Sequence, residues 1–190
     1  GAARPFAGAR DVQALSFSDS GDVTGAAVFA GYGIVVPDGQ DFEYDSYAGL
    51  DVTNKVVVVL RYFPEDAEPK AKATLARYAD LRFKAQAARQ RGARALVVVT
   101  GPRSPNAGET VPMTFDTALA GSGIAAVSVG ASAAEANVAS QPSCNQRNVR
   151  IVMRLAVGER ARRGKSIQRV RLKFPARAPS KRATVIGSTL

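Results

Sequence analysis

The sequence contains no histidine, no tryptophan and a single cysteine, Cys144, in 190 residues. Catalytic zinc sites of hydrolases use histidine ligands, and a Ser-His-Asp triad uses histidine as its base, so this chain alone can build neither. One cysteine excludes an internal disulfide framework and a CxxC metal site. The longest nearly apolar run, residues 26–36, is interrupted by two glycines and is too short to span a bilayer. The missing histidines therefore disfavour a hydrolase, although composition still allows hydrolysis that uses carboxylates alone.

Positive charge is concentrated near the C-terminus. Residues 1–140 carry a net charge of −2, whereas residues 141–190 carry 13 Lys/Arg against one acid and a net charge of +12. One interpretation is a stand-alone electrostatic module that binds nucleic acid or another polyanion through residues such as Arg162 and Arg163. Phe174 is the only aromatic residue of this segment, so platforms for stacking bases are missing and nucleic acid is disfavoured. Contact with a partner domain is the alternative.

A βαβ unit is predicted in the middle of the chain. Lys55–Arg61 and Ala95–Thr100 are β-branched runs without polar alternation, which is typical of strands buried on both faces. Thr74–Arg91 has an apolar stripe of helical period and is followed by Gly92, which predicts one helix. Lys84 is assigned to the second half of that helix, where a cation suits the helix dipole. We expect the two strands to be parallel, with a right-handed crossover.

Shorter elements flank this unit. Residues 1–25 are predicted to be a loop, with a short edge strand around Val12 and Ala14. Val28–Val36 is predicted to be one strand, with a bulge at Gly31 and Gly33. The remaining predictions are a loop at Glu65–Pro69, a long loop at Gly101–Met113, a strand at Ile124–Val129, the start of a helix at Ser132–Val138, and a hairpin of strands Val149–Val157 and Ile167–Phe174.

Several polar groups invite a functional interpretation that their spacing does not support. Asp38, Asp41, Glu43 and Asp45 offer carboxylates for calcium, but they lack the EF-hand pattern, and a solvated acidic loop is favoured. The glycine pairs of residues 31–33 and 121–123 complete no phosphate-binding motif, so turns that need a positive φ are favoured. Cys144 has no histidine to act as its base and is interpreted as a surface cysteine without catalytic consequence.

Aromatic residues beside the acidic loop and the end of the long loop are the candidate contact residues. They could touch a peptide or gate a neighbouring active site, because long irregular loops in compact domains are often functional. The alternative is a lid that packs on its own domain. The predicted peptide or interdomain contacts are Phe42, Tyr44, Tyr47, Pro112, Met113 and Phe115.

Four segments, in the same order, resemble the protease-associated (PA) segment of zinc aminopeptidases of the M28 type. They are FAGYGI (29–34), YDSYAGLDVTNKVVVVL (44–60), DLRFKAQAARQRGARALVVVTGP (80–102) and LAGSGIAAVSV (119–129). The closing residues 184–187 (TVIG) resemble the segment that opens the peptidase domain in those enzymes. Residues 141–169 depart from the pattern, because they are rich in arginine where a helix of Leu, Ala and some acids is expected.

The resemblance implies a mixed α/β fold, the swivelling β/β/α arrangement, with a small curved sheet, a βαβ core and one main helix. It divides the chain into a lead-in segment (1–25), a PA core (26–140) and a basic segment (141–190) that completes the sheet. It implies a non-catalytic domain that modulates substrate access or binds peptide, with a peptidase domain of the same polypeptide as its partner. No cofactor is expected in this chain, and zinc is expected in the peptidase domain.

The resemblance also implies a secreted or periplasmic setting, although the N-terminus lacks the pattern of a signal peptide. No membrane span is expected.

Overall fold

A computed structural model describes residues 11–40, 42–112, 121–131, 150–156 and 169–173. These residues form nine strands and two helices. In chain order they are β1 (Val12–Ala14), β2 (Gly21–Phe29), β3 (Val35–Val36), β4 (Tyr44–Asp45), β5 (Val56–Leu60), α1 (Pro69–Tyr78), α2 (Leu81–Gln90), β6 (Ala95–Val99), β7 (Ala125–Val129), β8 (Arg150–Ala156) and β9 (Arg169–Lys173). None of the helices in these ranges is long and apolar enough to cross a membrane.

Seven of the strands form one curved sheet in the order β1-β7-β6-β5-β2-β8-β9, and β3 and β4 form a separate small antiparallel pair. Strands β2, β5, β6 and β7 run parallel to one another, so the predicted parallel pair of β5 and β6 is confirmed. β1 is an antiparallel edge strand beside β7, as predicted. The C-terminal hairpin pairs β8 antiparallel with β2 and with β9, and β9 comes within 8 Å of β1 between Cα atoms.

The central strands are buried on both faces, which confirms the prediction from their β-branched sequences. Val57 and Val59 of β5 face helix α2 and pack with its alanines Ala85 and Ala88. Val56 belongs to a second cluster on the opposite face, together with residues of β1, β6 and β7. The mixed α/β fold with a small curved sheet and a βαβ core is therefore confirmed.

The single helix predicted for Thr74–Arg91 is wrong, because the chain forms two helices that meet at Ala79 and Asp80. Asp80 is the N-cap of α2, and its carboxylate accepts a hydrogen bond from the backbone N–H of Arg82 at 2.7 Å. A side chain that caps a helix in this way competes with continuation of the preceding helix. α1 also begins at Pro69, which favours a first helical position, so it extends into the predicted loop.

The single strand predicted for Val28–Val36 is also wrong. β2 ends at Phe29, and the chain then turns through Gly31 (φ 54°) and Gly33 (φ 63°) before β3. β2 instead begins at Gly21, inside the predicted loop and across the boundary drawn after residue 25. Its two glycines, Asp22 and two alanines have low strand propensity, and its pairing with β8 and β5 supplies the hydrogen bonds that propensity does not predict.

Most of the other predicted elements are confirmed. The strands predicted at Ile124–Val129, Val149–Val157 and Ile167–Phe174 are confirmed as β7, β8 and β9. Gly92 follows α2 with φ 78°, the left-handed conformation expected after a helix. The helix predicted to start at Ser132 lies outside the described residues.

Candidate functional site

The loops that follow the parallel strands β2, β5 and β6 meet at the carboxyl edge of the sheet. In open α/β sheets this edge is where ligands usually bind, because the loops there surround a crevice. A pocket of about 390 Å³ opens at this edge. It is lined by Tyr32, Leu60, Glu65, Asp66, Gly101, Pro102, Arg103 and Ser104.

One wall of the pocket is Tyr32, which is held in place by the glycine turn after β2. Gly31 accepts a backbone hydrogen bond from Leu60 at 2.8 Å, which ties the turn to the end of β5. A Cβ at Gly33 would lie only 2.5 Å from Cγ1 of Val59, so the turn approaches β5 too closely for any side chain. The glycines predicted to serve as turn residues do so here, and the turn presents the Tyr32 ring to the pocket.

A buried lysine fixes the end of β5, where Leu60 lines the pocket. Lys84 of α2 is fully buried, and its Nζ donates hydrogen bonds to the backbone carbonyls of Leu60 (2.8 Å) and Tyr62 (2.6 Å). Tyr62 has φ 66°, so this lysine holds the chain where it leaves β5 in a left-handed conformation. Burial lowers the pKa of Lys84 to about 7, and the nearby charge of Asp80 opposes that shift in part.

The role expected for Lys84 on the helix dipole is therefore wrong. It lies in the first half of α2, and its ammonium is sequestered under the sheet edge instead of facing solvent. The sequence did indicate that Lys84 is buried, because this residue shares a helical face with Leu81, Ala85 and Ala88, which pack on the core.

The charged groups of the pocket carry opposite signs. Glu65 and Asp66 follow β5, Arg103 follows β6, and all three side chains are exposed. Within the described part of the chain, none of the three has a hydrogen bond or an ion pair, so Arg103 does not pair with the two carboxylates. Burial raises the pKa of Tyr32, the carboxylates of Glu65 and Asp66 raise it further, and the charge of Arg103 lowers it, so charges of both signs act on the phenol.

The loop of residues 101–112 is anchored to the sheet and does not form a free lid. The hydroxyl of Thr100 donates to the carbonyl of Glu109 at 2.9 Å, and Gly108 accepts from the N–H of Ala131 at 2.8 Å. The backbone N–H of Val111 donates to the hydroxyl of the fully buried Ser128 at 2.8 Å. These bonds fix both ends of the loop that forms the far side of the pocket.

The predicted contact residues lie at separate places. Phe42 and Tyr44 stack on each other with ring centroids 6.1 Å apart and pack partly buried against the cluster around Ile34 and Leu75. Pro112 is exposed at the end of the long loop. Met113 and Phe115 lie outside the described residues.

Tyr47 is buried to 3% exposure in the core cluster under α2, and this position counts against a contact role. Its ring packs against the guanidinium of Arg91, 4.8 Å from the ring centroid, and Arg91 also forms an ion pair with Asp45 at 2.9 Å. Burial raises the pKa of Tyr47 to about 12, although the charge of Arg91 partly opposes this.

The predicted calcium alternative gains no support from the geometry. Asp45 accepts a hydrogen bond from the N–H of Tyr47 at 2.8 Å besides its ion pair with Arg91, so it closes the turn after β4. Asp38 and Glu43 are exposed, and Asp41 lies outside the described residues. In the described ranges, no three His, Cys, Asp or Glu side chains are grouped so that they could hold a metal ion.

The comparison with protein families supports the fold assignment. Residues 14–137 match the family described as "PA domain". No curated protein sequence matches significantly. Among solved structures, an aminopeptidase from Aneurinibacillus sp. strain AM-1 is similar, with 16% sequence identity and a TM-score of 0.44. The alignment covers 91% of this chain and 33% of that chain, so the chain spans about a third of the aminopeptidase's length.

Proposed function

Because the chain belongs to the PA domain family, we propose that it is the protease-associated domain of an M28-type zinc aminopeptidase. In this proposal the domain performs no hydrolysis itself. It modulates substrate access or binds peptide beside the catalytic domain. The observation that carries the proposal is the family match over residues 14–137, which spans β2 to β7 and both helices. The M28 type is supported by the four segments of the sequence and their order.

The residues of this chain do not fit a catalytic zinc site. The sequence has no histidine, and the part of the chain that the structure describes groups no three metal-binding side chains. Under this proposal zinc and the hydrolytic chemistry belong to a peptidase domain of the same polypeptide. A secreted or periplasmic setting is part of the same proposal.

The proposed surface for peptide is the carboxyl edge of the sheet together with the stacked pair of Phe42 and Tyr44. Both rings are only partly buried, so their outer faces can contact an apolar side chain. Pro112 is exposed and is retained as a contact, whereas the buried Tyr47 is not. Contacts of this kind influence binding of substrate more than the chemical step, because they lie away from the reacting atoms.

The proposal is tested first by the gene. Under the proposal, the reading frame continues beyond the codon for Leu190 and encodes the His, Asp and Glu ligands of a two-zinc peptidase. A stop codon at that point, or a frame that encodes no such ligands, would contradict it.

The second test uses the full-length polypeptide. We expect a Phe42→Ala/Tyr44→Ala variant to raise KM for peptides while kcat for a small aminoacyl anilide stays unchanged. A Lys72→Gln variant on the exposed side of α1 is the matched control. The 190-residue chain alone should not cleave the anilide, and chelator-sensitive cleavage by that chain would overturn the non-catalytic assignment.

An electrostatic binding module remains a second candidate, because the register of the hairpin brings basic positions together. Arg154 pairs with Arg171, and Lys173 pairs with Val152 two positions away on the same face. If this candidate is correct, binding to heparin weakens steeply with salt and is reduced in an Arg154→Gln/Arg171→Gln variant. Equal binding by the variant and the unaltered chain would contradict it.

A further inference from the structure

We propose that the pocket at the carboxyl edge of the sheet binds a small zwitterion, a free α-amino acid or a dipeptide, with Glu65 and Asp66 receiving its ammonium group and Arg103 its carboxylate. The pocket lies at the edge already proposed as a surface for peptide, and the inference goes further by naming the ligand class and the residues that bind it. It holds or fails independently of which domain follows.

The size and walls of the pocket fit a ligand of this class. Its volume of about 390 Å³ lies at the lower end of the range for small-molecule sites. The ring of Tyr32 and the side chain of Leu60 supply apolar surface, and Gly101 and Pro102 complete a wall that carries no charge. Such surface can contact the aliphatic side chain of an amino acid while the charged groups remain at the mouth.

The charges select a ligand that carries both signs. Glu65, Asp66 and Arg103 line the same pocket, yet within the described residues no ion pair joins Arg103 to either carboxylate. A polyanion would be repelled by the two carboxylates, whereas a purely cationic ligand would satisfy the carboxylates but leave Arg103 without a partner. A molecule with an ammonium and a carboxylate gives each group a partner. Charge-assisted hydrogen bonds to such groups are the stronger ones available to exposed side chains.

A divalent metal ion is a poorer fit to the same residues. Only two carboxylates line the pocket, and the described chain groups no third acidic, histidine or cysteine side chain with them. Calcium takes six to eight oxygen ligands and magnesium demands octahedral geometry, which a pair of exposed carboxylates does not supply.

The pocket is formed before any ligand arrives. Lys84 fixes the carbonyls of Leu60 and Tyr62, and the N–H of Leu60 donates to Gly31, so Leu60 and the Tyr32 wall belong to one hydrogen-bonded unit. On the opposite side, the N–H of Ser104 donates to the carbonyl of Gly101 at 3.1 Å and closes the turn that carries Arg103. A preformed site avoids the cost of ordering loops on binding.

The experiment is an amide NMR titration of the ¹⁵N-labelled 190-residue chain with leucine up to about 10 mM, ten times a millimolar Kd. Leucine is expected to shift the amide signals of Tyr32, Arg103 and Ser104. N-acetyl-leucine, which lacks the ammonium, and leucinamide, which lacks the carboxylate, should each bind roughly tenfold more weakly or worse. Absence of any shift at the pocket amides overturns the proposal, and so does equal binding of leucinamide or N-acetyl-leucine.

Variants assign the charged groups. Glu65→Gln/Asp66→Asn and Arg103→Gln should each weaken leucine binding by roughly tenfold. Asp38→Asn and Arg94→Gln alter exposed charges outside the pocket and should leave it unchanged. All five side chains are exposed, so these variants are expected to fold. Unshifted signals of the core amides would confirm that each variant is folded. If the pocket variants bind leucine as well as the controls do, the assignment is overturned.

Discussion

The ammonium of Lys84 donates a hydrogen bond to the carbonyl of Tyr62 across 2.6 Å, and a second to Leu60 at 2.8 Å, from a position with no exposed surface. Within the described residues no carboxylate forms an ion pair with it. Two backbone carbonyls thus take the place of a counter-ion. A buried ammonium without an ion-pair partner is sensitive to pH, and this sensitivity can be measured.

We expect the free energy of unfolding to rise between pH 7 and about pH 9.5 because of Lys84. Its folded pKa of about 7 lies below the ordinary value of 10.5, so the unfolded chain binds more protons in this interval. A Lys84→Met variant should lose this part of the slope. The measurement is urea unfolding of both proteins at several pH values, kept below the range in which tyrosines ionise. A variant with the same slope as the unaltered chain would contradict the prediction.

The Tyr47 hydroxyl should contribute nothing to stability. It is buried and has no hydrogen-bond partner among the described residues, while the ring packs in the core and against Arg91. Tyr47→Phe should therefore leave the free energy of unfolding unchanged or raise it by about 1 kcal/mol. Tyr47→Ala, which removes the ring, should lower it by roughly 3–5 kcal/mol. Both are measured by denaturant unfolding. A loss above about 1 kcal/mol in the phenylalanine variant would reveal a partner for the hydroxyl.

Gly33→Ala should be more damaging than Gly31→Ala. Both glycines have positive φ, but a Cβ at Gly33 meets Val59 at 2.5 Å, whereas a Cβ at Gly31 meets nothing within 4 Å. We expect losses of roughly 2–5 kcal/mol at Gly33 and roughly 1–2 kcal/mol at Gly31. Thermal unfolding of the two variants separates steric overlap from backbone strain. Equal losses would show that strain alone decides the effect.

Ser128→Ala should loosen the long loop at its anchor. The substitution deprives the N–H of Val111 of its 2.8 Å acceptor and is expected to cost roughly 1–3 kcal/mol. Ser122→Ala is the matched control, because the hydroxyl of Ser122 is only partly buried and donates to Ile124 at 3.1 Å. Hydrogen exchange at Val111 should accelerate in the first variant and not in the second. Unchanged exchange at Val111 would contradict the anchoring role.

The parts of the fold that follow from residue pattern were predictable. The runs of Val and Leu in β5 and β6 predict that both faces of these strands are buried. In the structure α2 covers one face, and a hydrophobic cluster that includes residues of β1 covers the other face. The break between α1 and α2 was missed because the apolar stripe continues through it, while the cap at Asp80 is a local hydrogen bond. The part of β2 before Val28 was missed because its glycines, Asp22 and alanines have low strand propensity, and pairing with β8 and β5 determines its conformation.

The candidate site was only partly visible in the sequence. The long loop and the glycine turn were recognised, and both contribute to the pocket. Arg103 lies almost 40 positions after Glu65 and Asp66, in a different loop. Only the parallel arrangement of β5 and β6 brings the three residues together. The burial of Tyr47 was missed because an aromatic residue in an acidic segment gives the same pattern whether it points outward or into the core.

The pairing of β2 with β8 has a consequence for synthesis of the protein. Residues Gly21–Ala26 of β2 pair with Ile151 and its neighbours in β8, and the described chain offers this stretch no other strand. During translation the backbone of these residues stays unpaired until more than a hundred further residues have been synthesised. A nascent chain that stalls before β8 therefore exposes a strand edge of the kind that recruits other chains. The C-terminal hairpin removes this exposed edge when β8 pairs with β2.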